Sequence, residues 1–99
     1  MLEGGFKMTI ILSVEEFLEK LASGQRDFKG CVFKGDFSGL DMSGLCLREA
    51  DFIGATLKNV SFVGSDMSGA NLSSADLEGS NFTGANLENA KKTWTILEA

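Results

Sequence analysis

Asp, Asn, Ser or Thr recurs at almost every fifth residue from Asp36 onward, and these side chains could do chemistry. Carboxylates serve as general acids and bases, and a serine becomes a nucleophile beside a base. Both need a local cluster that breaks the repeat, and the sequence offers none: it has no histidine and no tyrosine. Five serines of the repeat stand at turn positions, where their hydroxyls can hydrogen-bond to the backbone: Ser38, Ser43, Ser68, Ser73 and Ser74. We therefore predict a protein that is not an enzyme.

The sequence has few residues that could bind a metal or act as reactive thiols. The chain has two cysteines, Cys31 and Cys46, with no CxxC motif and no histidine. A zinc site needs four such ligands in close spacing, so it is nearly excluded. We expect two free thiols and no cofactor, and the sequence assigns neither cysteine a redox role.

The charge balance limits the partners. Fourteen acidic residues outnumber nine basic ones, for a net charge of −5 over 99 residues. Binding to a phosphate backbone relies on clustered Lys and Arg, so direct nucleic-acid binding is not expected. No apolar run is long enough to span a membrane, and the N-terminus lacks the features of a secretory signal. We predict a cytoplasmic protein that does not bind membranes.

The first part of the chain, 1–12, has no periodicity. Its opening "MLEGGFK" contains a glycine pair, and Met8 is a plausible natural start. We interpret 1–12 as a leader that is partly disordered or a cloning remnant.

Residues 13–24 predict a short helix. Val14, Phe17, Leu18 and Leu21 follow at i, i+3, i+4 and i+7, which makes one apolar stripe. Ser13 stands three residues before a glutamate, the spacing of a capping box, and a glycine ends the segment. Because an isolated helix of this length is marginal in water, we expect it to cover an apolar end of the domain that follows.

The segment 26–90 is a five-residue repeat. A bulky apolar residue stands at the centre of each unit, and two residues earlier lies a mostly small residue. Between them stands Asp, Asn, Ser or Thr in ten of eleven units, and glycine lies two residues after the centre in seven. The centres are Phe37, Met42, Leu47, Phe52, Leu57, Phe62, Met67, Leu72, Leu77, Phe82 and Leu87.

A period of five fits neither a helix nor a strand. Two inward positions separated by one outward position indicate a short extended stretch followed by a tight turn. The chain must then wind around an axis, with coils about 4.8 Å apart. One repeat cannot bury its own apolar residue, so the array is stable only as a stack.

The motif in "GANLSSADLEGSNFTGANLE" resembles the pentapeptide-repeat family, whose pattern is close to A(D/N)LxG. The resemblance implies an all-β solenoid, a right-handed quadrilateral β-helix of about three coils in which residues twenty apart stack, here with a short N-terminal capping α-helix. Centres that lie twenty residues apart then stack in columns, and every member of these columns is apolar. Lys92 would be the next member after Leu72, and its charge does not fit an apolar column. The coil should end near residue 90, and 91–99, with Trp94, should form a C-terminal cap.

The front of the repeat departs from the pattern. Phe28 and Phe33 scan as two more centres, but Phe37 follows four residues later instead of five. We interpret this as one residue lost around Gly35 and Asp36, which predicts a distorted corner in the first coil.

Two functions are compatible with this sequence. The first is a small structural or protein-interaction module with an unidentified protein partner. Its candidate surface consists of apolar and basic residues at outward positions: Arg48, Ile53, Lys58 and Val63. The second, implied by the resemblance, is a mimic of DNA that binds a type II topoisomerase, DNA gyrase.

Length and charge pattern argue against the mimic. On the four implied faces no acidic stripe is unbroken, and the rod, at roughly 15 Å, is shorter than one DNA turn of about 34 Å. A monomer is expected if both ends are capped by Phe17, Leu18 and Leu21 at one end and Trp94 at the other. An end-to-end dimer through the C-terminal cap is the alternative.

Overall fold

The computed structural model describes residues 8–93, 95 and 96, in the order β1 (Ile11–Leu12), α1 (Val14–Ala22) and β2 (Val32–Phe33). Residues 1–7 and the predicted cap residue Trp94 lie outside the described residues. No helix within the described part is long and apolar enough to cross a membrane.

The helix α1 begins and ends as its sequence predicts. Ser13 caps it: the Ser13 hydroxyl accepts from the Glu16 backbone N–H at 3.2 Å, and the Glu16 carboxylate accepts from the Ser13 N–H at 3.0 Å. Ser23 ends the helix, and Gly24 follows with φ of +98°, a conformation that favours glycine. Satisfied caps let nine residues stay helical where an isolated peptide would not.

The predicted leader 1–12 is wrong at its C-terminal boundary. β1 pairs in parallel with β2, with Ile11 opposite Val32 and Leu12 opposite Phe33. Leu12 is fully buried, and the burial of that side chain is the physical reason that the segment is ordered. The extended domain therefore begins before α1.

After β2 the chain forms parallel bridges instead of long strands. From Asp36 onward every bridge joins residues twenty apart, as in Asp36 with Thr56 and Asp41 with Ser61. The bridges fall into four columns, because one coil consists of four pentapeptides and each pentapeptide contributes one bridge residue. The longest column contains five members, Ile11, Val32, Asp51, Asn71 and Lys91.

The predicted loss of one residue near Gly35 is confirmed. Before that point the bridges span nineteen residues, Asp27 with Cys46 and Val32 with Asp51. Gly35 itself takes φ of +124°, outside the narrow range of the other turn glycines. The missing residue is absorbed at this corner, and the columns keep their register.

The core is the stack of centres. Phe33 lies on Phe52 with ring centroids 4.5 Å apart, and Phe62 on Phe82 at 5.0 Å, both nearly parallel. Nine of the eleven predicted centres are buried, whereas Phe82 and Leu87 are partly buried. The small residues two positions earlier also point inward and are buried in the middle coils: Ala50, Ala55, Val60, Ser65, Ala70 and Ala75.

The expected end of the coil near residue 90 is too early. Lys91 bridges Asn71, and Ile96 bridges Asp76, so the columns continue past Lys92. Backbone hydrogen bonds hold these residues although Lys92 is exposed, since a bridge needs only the main chain.

Candidate interaction surface

The polar residue before each centre has a structural role. In nine repeats a side-chain oxygen of Asp or Asn accepts a hydrogen bond from the backbone N–H two residues later, at 2.9–3.2 Å. This contact holds the chain in a turn and explains why position after position is Asp or Asn. The acceptors are Asp27, Asp36, Asp41, Asp51, Asp66, Asn71, Asp76, Asn81 and Asn86.

These contacts set the ionisation of the carboxylates. Hydrogen bonds from Ser38, Ser43 and Ser68 hold the pKa of Asp36, Asp41 and Asp66 below the ordinary aspartate value. A general acid needs the opposite shift, toward neutral pH. The carboxylates therefore remain ionised, which suits turn acceptors and not proton donors.

The two thiols are free, as expected, and only Cys31 is buried. Burial raises the pKa of the Cys31 thiol. A reactive cysteine has its pKa lowered by nearby positive charge, so this thiol is a poor nucleophile at neutral pH. Within the described residues no group of three or more carboxylate and cysteine side chains is placed to hold a metal ion.

The four predicted surface residues are exposed but do not share a face. Ile53 is 45% exposed and Val63 is 38% exposed. Each of the four follows a different bridge column, so Arg48, Ile53, Lys58 and Val63 lie at successive corners around one coil. These four residues therefore do not form one contiguous surface, because five residues along the chain correspond to a quarter turn around the axis.

The two basic residues contact carboxylates one coil further on. The Arg48 guanidinium lies 4.0 Å from Asp66, and the Lys58 ammonium lies 3.7 Å from Asp76 and 3.9 Å from Glu78. Such exposed pairs contribute about 0–1 kcal/mol each. With Arg48 and Lys58 paired to carboxylates, Ile53 and Val63 are isolated exposed apolar residues on opposite sides of the coil.

The predicted N-terminal cap residues differ in their contacts. The Phe17 ring is fully buried, with its centroid 5.0 Å from that of Phe28 and 5.3 Å from that of Phe33. Leu21 packs partly buried against the core, but Leu18 is 42% exposed and does not serve as a cap contact. The stripe on α1 is narrower than predicted, since Leu18 lies at its edge.

Sequence reasoning missed one group of exposed apolar residues. Ile11 lies in β1, and Met8 and Ile10 precede it and line a groove of about 300 Å³ together with Cys31 and Glu49. The run "TIIL" was the available signal, because β-branched residues without charge are typical of strands.

Four parallel bridge columns that return every twenty residues define a β-solenoid built from pentapeptides. The family profile of pentapeptide repeats matches eight copies over residues 50–89. A crystal structure of a pentapeptide repeat protein from Nostoc PCC 7120 is 30% identical, with a TM-score of 0.54, and the match covers 90% of this chain and 78% of that one. The chain belongs to the pentapeptide repeat family, whose members fold as right-handed quadrilateral β-helices.

A second solved structure is similar in fold. It is a pentapeptide repeat protein, Rfr23, from the cyanobacterium Cyanothece 51142, with 23% identity and a TM-score of 0.52. The match covers 72% of this chain, which spans about half of that protein, 53% of its length. No curated protein sequence matches this chain significantly.

Proposed function

We propose that this chain is a non-catalytic interaction module that binds another protein through the outer corners of a β-helix of about three coils. In this proposal α1 caps one end of the helix, with Phe17 closing the core. The module presents short rigid turns at fixed spacing, as repeat proteins do when they bind along a surface.

One observation carries the proposal: the carboxylates and hydroxyls that could take part in catalysis are used as hydrogen-bonding groups in the turns. The Asp36 carboxylate accepts from the Ser38 N–H at 3.0 Å, and the same contact recurs around the coil with Asp51 and Asp76. Ser68 donates its hydroxyl to Asp66 at 2.9 Å. Groups that hold the backbone in this way are not available to bind and turn over a substrate.

Because Ile53 and Val63 lie on opposite sides of the coil, such a partner would use one of them as its apolar contact. Each stands at a corner where the next coil carries a polar residue, Ser73 above Ile53 and Thr83 above Val63. This alignment supplies matched controls on the same columns.

The test begins with capture of partners from the source cell and purification of the best one. Its affinity is then measured by calorimetry for Ile53→Asp, Val63→Asp, Ser73→Asp and Thr83→Asp. We expect the first or second variant to weaken binding at least about tenfold, the loss typical of a truncated interface contact, while its control binds normally. Equal binding by all four variants would refute these corners as the interface.

The DNA-mimicking role is the weaker candidate. The longest column has five members, so it spans about 19 Å at the strand spacing, against about 34 Å for one DNA turn. Thr56 separates Asp36 from Asp76, and Lys58 contacts Asp76, so this face has no continuous acidic stripe. Inhibition of DNA supercoiling by gyrase at low micromolar protein would reverse this ranking.

A further inference from the structure

Exposed apolar side chains are concentrated near β1. Seven large apolar residues are exposed in the described part of the chain, and four of them lie within residues 8–18. Met8 is 84% exposed, Ile10 51% and Ile11 59%. Single exposed apolar residues are ordinary, but a group of them marks an interaction surface.

The backbone at the same place has a free edge. The Val32 N–H donates to the Ile10 carbonyl at 2.8 Å, and the Lys34 N–H donates to the Leu12 carbonyl at 3.2 Å. Because backbone groups alternate along a strand, the N–H and C=O of Ile11 point to the opposite edge of β1. Within the described residues β1 has one strand neighbour, β2, so that edge pairs with no strand there.

This edge also lacks the usual protection against pairing. Natural edge strands carry charges, proline or a bulge, whereas the segment "MTIIL" at 8–12 has neither charge nor proline. The rest of the chain carries the net charge of −5, which makes most surfaces of two copies repel each other. The segment 8–12 adds no charge to this repulsion, and Lys29 and Glu49, which line the groove beside it, are of opposite sign.

We propose that β1 pairs antiparallel with β1 of a second copy, and that this joins two solenoids at their N-terminal ends. The same edge of β1 serves in both copies, because a two-fold axis places the edge of one copy opposite the same edge of the other. The free N–H and C=O of Ile11 then find partners, and the exposed side chains of Met8 and Ile10 meet apolar neighbours. This inference does not depend on the proposed function.

The space between the joined ends fits the helices. Paired β1 strands set the two β2 strands three strand spacings apart, about 14 Å, and a helix with its side chains is about 10 Å across. Both copies of α1 must therefore share this one layer, side by side, between the joined ends. The joined column contains ten strands and spans about 43 Å.

The test is the molar mass of the whole chain in solution. Sedimentation and light scattering from about 10 µM to about 1 mM are needed, because so small an interface belongs to the weak class. We expect a concentration-dependent dimer of twice the 10.6 kDa monomer mass. Added salt should strengthen it, since salt screens the repulsion between acidic chains.

Ile11→Lys and Ile11→Glu should each weaken the dimer several-fold, because the two-fold axis places like charges opposite each other across the paired strands. Ile53→Lys is the matched control: it places the same charge on an exposed isoleucine away from β1 and should leave the dimer intact. Thermal unfolding by circular dichroism shows that each variant is folded.

Two results would overturn the proposal. A monomer at every concentration would mean that the edge does not pair between copies. A dimer that survives both Ile11 variants, or that is lost when residues 94–99 are deleted, would place the contact elsewhere.

Discussion

In the part of the chain that the structure describes, four residues other than glycine occupy the left-handed region at the turns. They are Glu49, Asn59, Ser74 and Asn89, with φ between 57° and 62°. Asn tolerates this conformation because its short side chain bonds locally, but Glu and Ser do not share that advantage fully. The repeat thus carries local strain at Glu49 and Ser74, where most other units have glycine.

Replacing Glu49 with glycine should stabilise the protein. The left-handed conformation costs about 1–2 kcal/mol for a residue with a Cβ. Glycine offsets about 0.5–1 kcal/mol of this gain through the greater freedom of the unfolded chain. We therefore expect Glu49→Gly to raise the free energy of unfolding by about 0.5–1 kcal/mol. Glu88→Gly is the control, since Glu88 is one residue earlier in its turn and has no positive φ. Denaturant unfolding should show stabilisation at 49 and none at 88; equal effects would mean that strain at Glu49 is not relieved.

At the scale of elements, Phe17 is the one fully buried side chain of α1, with Val14 and Leu21 partly buried beside it. Phe17 contacts three rings of the first coil, Phe28, Phe33 and Phe37, in edge-to-face geometry. Aromatic pairs of this kind add to the stabilisation from burial alone. The neighbouring Leu18 has the same helical context but is exposed.

We expect Phe17→Ala to lower the free energy of unfolding by about 3–5 kcal/mol, because it leaves a cavity among buried rings. Leu18→Ala should change it by less than about 0.5 kcal/mol, as exposed substitutions do. Chemical denaturation of both variants measures this difference directly. Similar losses for both would show that α1 does not rest on Phe17.

At the scale of the whole molecule, the acidic composition and the fold are linked. Asp36, Asp41 and Asp66 lie on separate columns, and hydrogen bonds lower the pKa of all three. A carboxylate with a lowered pKa in the folded state stabilises that state above its unfolded pKa, about 3.9 for aspartate. The stabilisation is lost as the pH falls through the folded pKa.

The thermal midpoint should therefore be steady near neutral pH and fall as the pH drops from about 5 toward 2. Asn serves the same turn at Asn71, Asn81 and Asn86 without ionising. A variant with Asp36→Asn, Asp41→Asn and Asp66→Asn should accordingly stay folded and lose less stability in acid. An unchanged acid dependence in this variant would contradict the role assigned to these turns.

The interior was predictable because the residue types within each five-residue unit indicate which positions point inward. Leu57 and Phe62 were predicted to point inward from spacing alone, and they are fully buried. The shift near Gly35 was equally visible, since a missing residue changes the count. The sequence offered no sign that Arg48 and Val63 point in different directions, because residues five apart along this chain lie at different corners.

The residue pattern was enough to predict the period of five, the inward residues, the turns and the helix with its caps, because all of these depend on residues a few positions apart. The folded chain was needed to see that β1 joins the column of Val32, that the bridges continue to Ile96 and that Leu18 stays exposed. Backbone pairing between coils is nearly independent of side-chain identity, so its ends leave little trace in the residue pattern.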